Sequence, residues 1–120
     1  MMRAYLRTVL EKPEEWKVVG EAEDGRRALD TWNEHTPNVT VMDFVMPRMD
    51  GLEAGRNMVA QHPESPVLMV TIDPSPQLQE EAKKAGIKGL VEKSDARSIL
   101  KAVEELIHGR TYFREQLAAA

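Results

Sequence analysis

A chain of 120 residues, 42% of them hydrophobic, carries enough apolar material for one packed core and is short for two. Its 16 basic and 20 acidic residues are interspersed and leave a formal net charge of −4, which is no footprint for a phosphate backbone and argues against direct nucleic-acid contact. The absence of cysteine removes disulfides, thiol nucleophiles and Cys-ligated metals, and His35, His62 and His108 fit no ligand spacing and read as surface or helix-end residues. No run approaches the ~18 apolar residues of a membrane span and no charged-then-apolar leader precedes the first element, so a soluble cytoplasmic domain without membrane contact is expected.

The first element is a helix. "MMRAYLRTVLEK" places Tyr5, Leu6, Val9 and Leu10 at helical spacing and stops at Pro13. Short β-branched runs then alternate with helical patterns. Strands are predicted at Trp16 to Glu21, Asn38 to Asp43, Pro66 to Ile72 and Gly89 to Glu92. Between and after them come helices with the stripes Ala28, Leu29, Trp32; Leu52, Gly55, Val59; Leu78, Ala82, Ala85; and Ile99, Val103, Leu106, Ile107. Asp24, Asp50, Ser75 and Ser94 or Asp95 stand where N-caps belong, and Gly86 and Gly109 where a helix ends. Alternation of this kind specifies βαβ units and a parallel sheet. A domain over residues 1–108 with a tail over 109–120 is the expected organisation.

In an open parallel sheet, functional groups collect at the carboxyl ends of the strands. Asp43 ends one predicted strand, Thr71 lies near the end of the next, and Lys93 follows the last. Taken singly, each has an ordinary reading: a carboxylate capping a turn, a β-former in a strand, a solvated lysine. Together they form a set suited to phosphoryl transfer. The carboxylate attacks phosphorus, the hydroxyl donates to a phosphoryl oxygen and the ammonium neutralises developing charge. Asp50 is most simply an N-cap, and Glu21 and Asp24 are read as loop or cap residues.

"VMDFVMPRMDG", "VLMVTI" and "GLVEKSDA", in this order and at this spacing, resemble the receiver domain of two-component response regulators. "WKVVGEAEDGRRAL" with Thr71-Ile72 further resembles receivers joined to a helix-turn-helix output domain. The resemblance implies a flavodoxin-like α/β fold with helices on both faces of the sheet. It implies that Asp43 is the phosphoacceptor, Thr71 a switch hydroxyl and Lys93 a phosphoryl contact. It implies magnesium, held by Asp43 and the backbone carbonyl of Val45, and a sensor histidine kinase or phosphotransfer protein as partner. Leu90 stands where many receivers carry a rotating aromatic side chain.

One departure is larger. Receivers begin with a hydrophobic strand ending in an acidic pair that holds the metal, and this sequence starts at what resembles the following helix. The first, central strand and the acidic pair are therefore expected to be missing, with magnesium binding weak or absent. Repair by pairing Trp16 to Glu21 with Asn38 to Asp43, or by a segment inserted from the tail or from a second chain in a homodimer, is the corresponding expectation. The function expected is a phosphorylation-dependent signalling switch, not an enzyme beyond self-phosphorylation and self-dephosphorylation on Asp43. The alternative is a phosphorylation-impaired, receiver-like interaction module.

Overall fold

The computed structural model describes the backbone of residues 2–45 and 50–114 and the side chains of 4–45 and 50–114. Within them run α1 (Met2–Leu10), α2 (Gly25–His35), β1 (Thr40–Asp43), α3 (Gly51–Gln61), β2 (Val67–Thr71), α4 (Pro76–Ala85), β3 (Gly89–Glu92) and α5 (Ala96–Ile107). The three strands form one parallel sheet in the order β1-β2-β3, with Thr40 opposite Val67 and Leu68 opposite Gly89. All five β2 residues are buried, as a central parallel strand covered on both faces requires.

Side-chain alternation along the strands divides the core in two. Val67 and Met69 of β2, Met42 of β1 and Leu90 of β3 point to one face, where Trp32, Ala54, Met58 and Ala82 of α2, α3 and α4 cover them. Leu68, Val70 and Val91 point to the other and meet Leu6 and Val9 of α1 and Ile99, Ala102, Val103 and Leu106 of α5. The stripe predicted for α5 includes Ile107, which instead stands 45% exposed one position past the buried row.

The predicted starts are the observed ones. The carboxylates of Asp24, Asp50 and Asp95 and the hydroxyl of Ser75 accept the N–H of Arg27, Glu53, Ser98 and Leu78 respectively. Gly86 ends α4 at φ 88°, and a Cβ there would also meet Val59 Cγ1 at 2.6 Å. All three histidines lie at helix ends: His35 closes α2, while His62 and His108 cap α3 and α5.

One predicted strand does not form. Residues 16–22 carry no strand assignment, and among the described residues no backbone hydrogen bond joins 17–20 to β1. A strand exists only through its ladder, and this segment has no adjacent ladder. Repair by direct pairing of Trp16 to Glu21 with Asn38 to Asp43 is absent too. Instead, a cavity of about 940 Å³ separates the two stretches, lined by both of them and by Leu6, Leu10, Val103 and Ile107.

The opposite edge is closed. After α5 the chain turns at Gly109, φ 80°, and runs beside β3. Tyr112 bridges to Gly89 in parallel, its N–H donating to Lys88 O and its carbonyl accepting from Leu90 N. The buried side chain of Gln79 then grips Arg114, donating to its carbonyl at 2.7 Å and accepting its N–H at 2.8 Å.

Candidate functional site

The three strands deliver Asp43, Thr71 and Lys93 to adjacent positions at their carboxyl ends. Asp43 is the last residue of β1 and Thr71 the last of β2, while Lys93 follows β3 directly. The Lys93 N–H donates to the Thr71 carbonyl at 2.8 Å, which carries the β2–β3 ladder one step past the strand. Lys93 Nζ lies 3.9 Å from Asp43 Oδ2, an ion pair spanning the end of β2. Both side chains are partly buried, at 16% exposure for Asp43 and 29% for Lys93, so their attraction is less screened than a surface pair. Asp43 Oδ1 accepts the Val45 N–H at 3.1 Å, which orients the carboxylate. The Thr71 residue is buried beside them.

Gly51 fixes the floor of the site. A Cβ at this position would stand 2.2 Å from the Asp43 carbonyl oxygen and 2.8 Å from Phe44 Cα, so only glycine lets the start of α3 lie against the end of β1. The Gly51 N–H donates to Phe44 O at 2.7 Å, and Asp50 caps the same helix. The Asp-Gly pair ahead of a helical stripe was the sequence signal for the cap. The close approach to Asp43 was not legible, because it depends on where a residue eight positions earlier ends its strand. Met46 and Pro47 of the same motif lie outside the described residues.

Of the remaining acidic candidates, Asp24 is buried as the cap of α2, and Glu21 pairs with Arg7 of α1. Neither joins Asp43 in a ligand cluster: among the described residues no group of three or more His, Asp or Glu is placed to hold a metal. Magnesium needs near-octahedral oxygen coordination, and Asp43 with a single backbone carbonyl does not supply it. The described residues therefore do not make up a magnesium site by themselves. Asp43 and Val45 also line the large cavity beside β1, so the site lies at its mouth.

A parallel α/β domain whose acidic, hydroxyl and lysine residues stand at neighbouring carboxyl strand ends is an open-sheet, doubly wound domain with its polar groups where such sheets carry their sites. The chain belongs to the response regulator receiver domain family, whose model matches residues 1–104. It is 28% identical over 98% of its length to the transcriptional regulatory protein DegU of Brevibacillus brevis, spanning 50% of that protein. It is 32% identical to the chemotaxis protein CheY of Listeria monocytogenes, with 87% of each chain covered. Among solved structures, the signal receiver domain of the putative response regulator NarL from Mycobacterium tuberculosis superposes with a TM-score of 0.84. The two are 30% identical over 91% of this chain and 89% of that one.

The chain thus spans about half the length of a curated relative such as DegU. Receiver domains generally interact with histidine kinases or phosphotransfer proteins and typically bind magnesium at an acidic pocket. They are generally non-enzymatic signalling modules. No helix among the described residues is long and apolar enough to cross a membrane.

Proposed function

We propose that Asp43 is the phosphoacceptor of a phosphorylation-dependent switch. The observation that carries this reading is the Asp43–Lys93 pair at 3.9 Å across the strand end that holds Thr71. A carboxylate oxygen of Asp43 forms a bond to the phosphorus of a phosphohistidine on a sensor kinase or phosphotransfer protein. The N–P bond breaks and the departing imidazole nitrogen takes a proton. Lys93 Nζ neutralises charge on the phosphoryl oxygens and the Thr71 hydroxyl donates to one of them. The acyl phosphate adds negative charge where Lys93 now pairs with Asp43, so Lys93 and Thr71 are drawn to the new oxygens and the ends of β2 and β3 shift. The only covalent chemistry in this reading is gain and loss of phosphate on Asp43, in a cytoplasmic setting with no nucleic-acid contact by this domain.

The test is phosphorylation of the 120-residue chain by acetyl phosphate, with and without magnesium, followed by intact mass and peptide mapping. The expected product carries one hydroxylamine-labile phosphoryl group on Asp43. It is lost in Asp43→Asn and forms about a hundredfold more slowly in Lys93→Met. A phosphoryl group that persists in Asp43→Asn overturns the assignment.

A second reading, the phosphorylation-impaired interaction module, is favoured by the shortage of metal ligands around Asp43 among the described residues. On that reading magnesium binds only weakly, through Asp43 and the Val45 carbonyl, and the chain engages a partner such as a second copy without phosphate. An unmodified mass under saturating acetyl phosphate and magnesium selects it.

A further inference from the structure

Side chains at the carboxyl end of the sheet part to two faces. Asp43 follows Val41 on the side of α1 and α5, where Lys93 meets it. Thr71 follows Val67 and Met69 on the other side, under α2, α3 and α4. Glu92 follows Leu90 on that same side, and the parallel ladder sets it directly opposite Thr71. It is the only charged strand residue on this face.

Glu92 is half-buried, and its backbone is fixed on both sides. The Lys93 N–H reaches the Thr71 carbonyl at 2.8 Å, and the Asp95 N–H reaches the Glu92 carbonyl at 3.1 Å. The Ser94 hydroxyl donates to Glu92 Oε1. Among the described residues nothing donates to Oε2, and the Thr71 hydroxyl has no hydrogen-bond partner either. Other partners on this face are few. Leu78, Ala82 and Leu90 are apolar, and both polar atoms of Gln79 are taken by Arg114. A donor without an acceptor thus stands across one ladder step from an acceptor without a donor.

We propose that Glu92 is a positioning residue for Thr71. In the unphosphorylated chain its free carboxylate oxygen accepts the Thr71 hydroxyl and holds it on the α4 side, away from Asp43. This rests on the reading of Asp43 as phosphoacceptor. Neighbouring strands lie about 5 Å apart, a gap that a carboxylate on two methylenes spans, so side-chain rotation alone joins the two groups. A threonine hydroxyl has one proton to donate, and donating it to a phosphoryl oxygen on Asp43 means giving up Glu92. Both acceptors are anionic and bind the hydroxyl with similar strength. Lys93, on the Asp43 side, turns the balance toward the phosphoryl group once that group is present. Glu92 therefore sets a threshold that phosphorylation has to overcome, and it acts through Thr71.

Glu92→Gln in the full 120-residue chain keeps the side-chain shape and an oxygen for Ser94 while removing the charge. Three-bond couplings to the Thr71 methyl carbon read its χ1 by NMR. They should show one rotamer in the parent chain, hydroxyl toward Glu92, and averaging in Glu92→Gln; identical couplings overturn the proposal. With acetyl phosphate and magnesium, Glu92→Gln should gain phosphate about fivefold faster than the parent, the difference between a charged and a neutral acceptor. That gain should vanish when both chains also carry Thr71→Val. An equal gain in the Thr71→Val background overturns the proposal, because the charge of Glu92 then acts on the phosphoryl group directly. No gain in the parent background overturns it as well. The couplings need no phosphate: a chain that takes none up defeats the role assigned to Asp43, and the couplings then decide by themselves whether Glu92 holds Thr71.

Discussion

The two edges of the sheet meet the same problem and solve it differently. Beyond β3, Tyr112 pairs with Gly89, Phe113 packs on the core and Gln79 holds Arg114, so the edge is covered by the chain's own continuation. Beyond β1 the neighbouring extended segment stands off across a cavity, and the outward amides of Val41 and Asp43 meet no strand among the described residues. Unpaired edges are where chains recruit other chains, and proteins ordinarily blunt them. The contrast teaches that the packing of this domain is graded across the sheet, tight from β2 to the tail and loose beside the acidic site.

The largest expected effect tests that gradient directly. Met69 is fully buried on β2 between Met42 and Leu90, and Met69→Ala should cost about 2–5 kcal/mol. Val41 is half-buried at the cavity, and Val41→Ala should cost about 1 kcal/mol or less, because water or empty space already stands on one side. Urea midpoints of the two variants decide; equal losses would show the β1 side to be packed as closely as the centre.

Next comes the clasp at the closed edge. Gln79→Ala leaves both backbone groups of Arg114 without their partner and should destabilise by about 1–3 kcal/mol. Amide exchange at Arg114 and Tyr112 should accelerate with it, and an unchanged rate would mean that the Tyr112 bridge alone holds the tail. A smaller effect of opposite sign is expected on the open side. Thr40→Val removes a buried hydroxyl that has no partner among the described residues, and thermal melting should show it neutral or stabilising by up to about 1 kcal/mol.

The smallest effect is one of pH. Two hydrogen bonds from Ser98, side chain first and backbone second, hold the Asp95 carboxyl below its ordinary value. Because the folded value is the lower one, the cap's contribution is complete above about pH 4, the unfolded value, and is lost as pH falls through the lowered one. Asp95→Asn should keep the cap while flattening that part of the acid unfolding curve. A curve as steep as that of the parent chain would show that Asp95 does not contribute to it.

How far the sequence reveals this molecule depends on the range of the interaction concerned. Caps at Asp24, Asp50, Ser75 and Asp95 are local, set by a side chain and an amide three residues on, and all were legible, the last as either Ser94 or Asp95. So was the arrival of Asp43, Thr71 and Lys93 at neighbouring strand ends, since strand order in alternating βαβ units follows chain order here. The 16–21 segment was not. Its Val18 and Val19 have strand propensity, but pairing needs a neighbour, and propensity says nothing about whether one is present. Pairing of Tyr112 with Gly89 was equally hidden: Thr111, Tyr112 and Phe113 have strand propensity, but nothing local says which sheet edge they meet.

The grip of Gln79 on Arg114 has one more consequence. A carboxamide that offers both a donor and an acceptor to a peptide unit imitates the edge of a neighbouring strand, and it reads backbone alone. Any residue at position 114 other than proline, which lacks the N–H, offers the same two groups. The direction in which the polypeptide departs is therefore written in α4, as a fixed exit that tolerates drift in the tail's own side chains, and a displacement of α4 would redirect that exit without altering a residue beyond it.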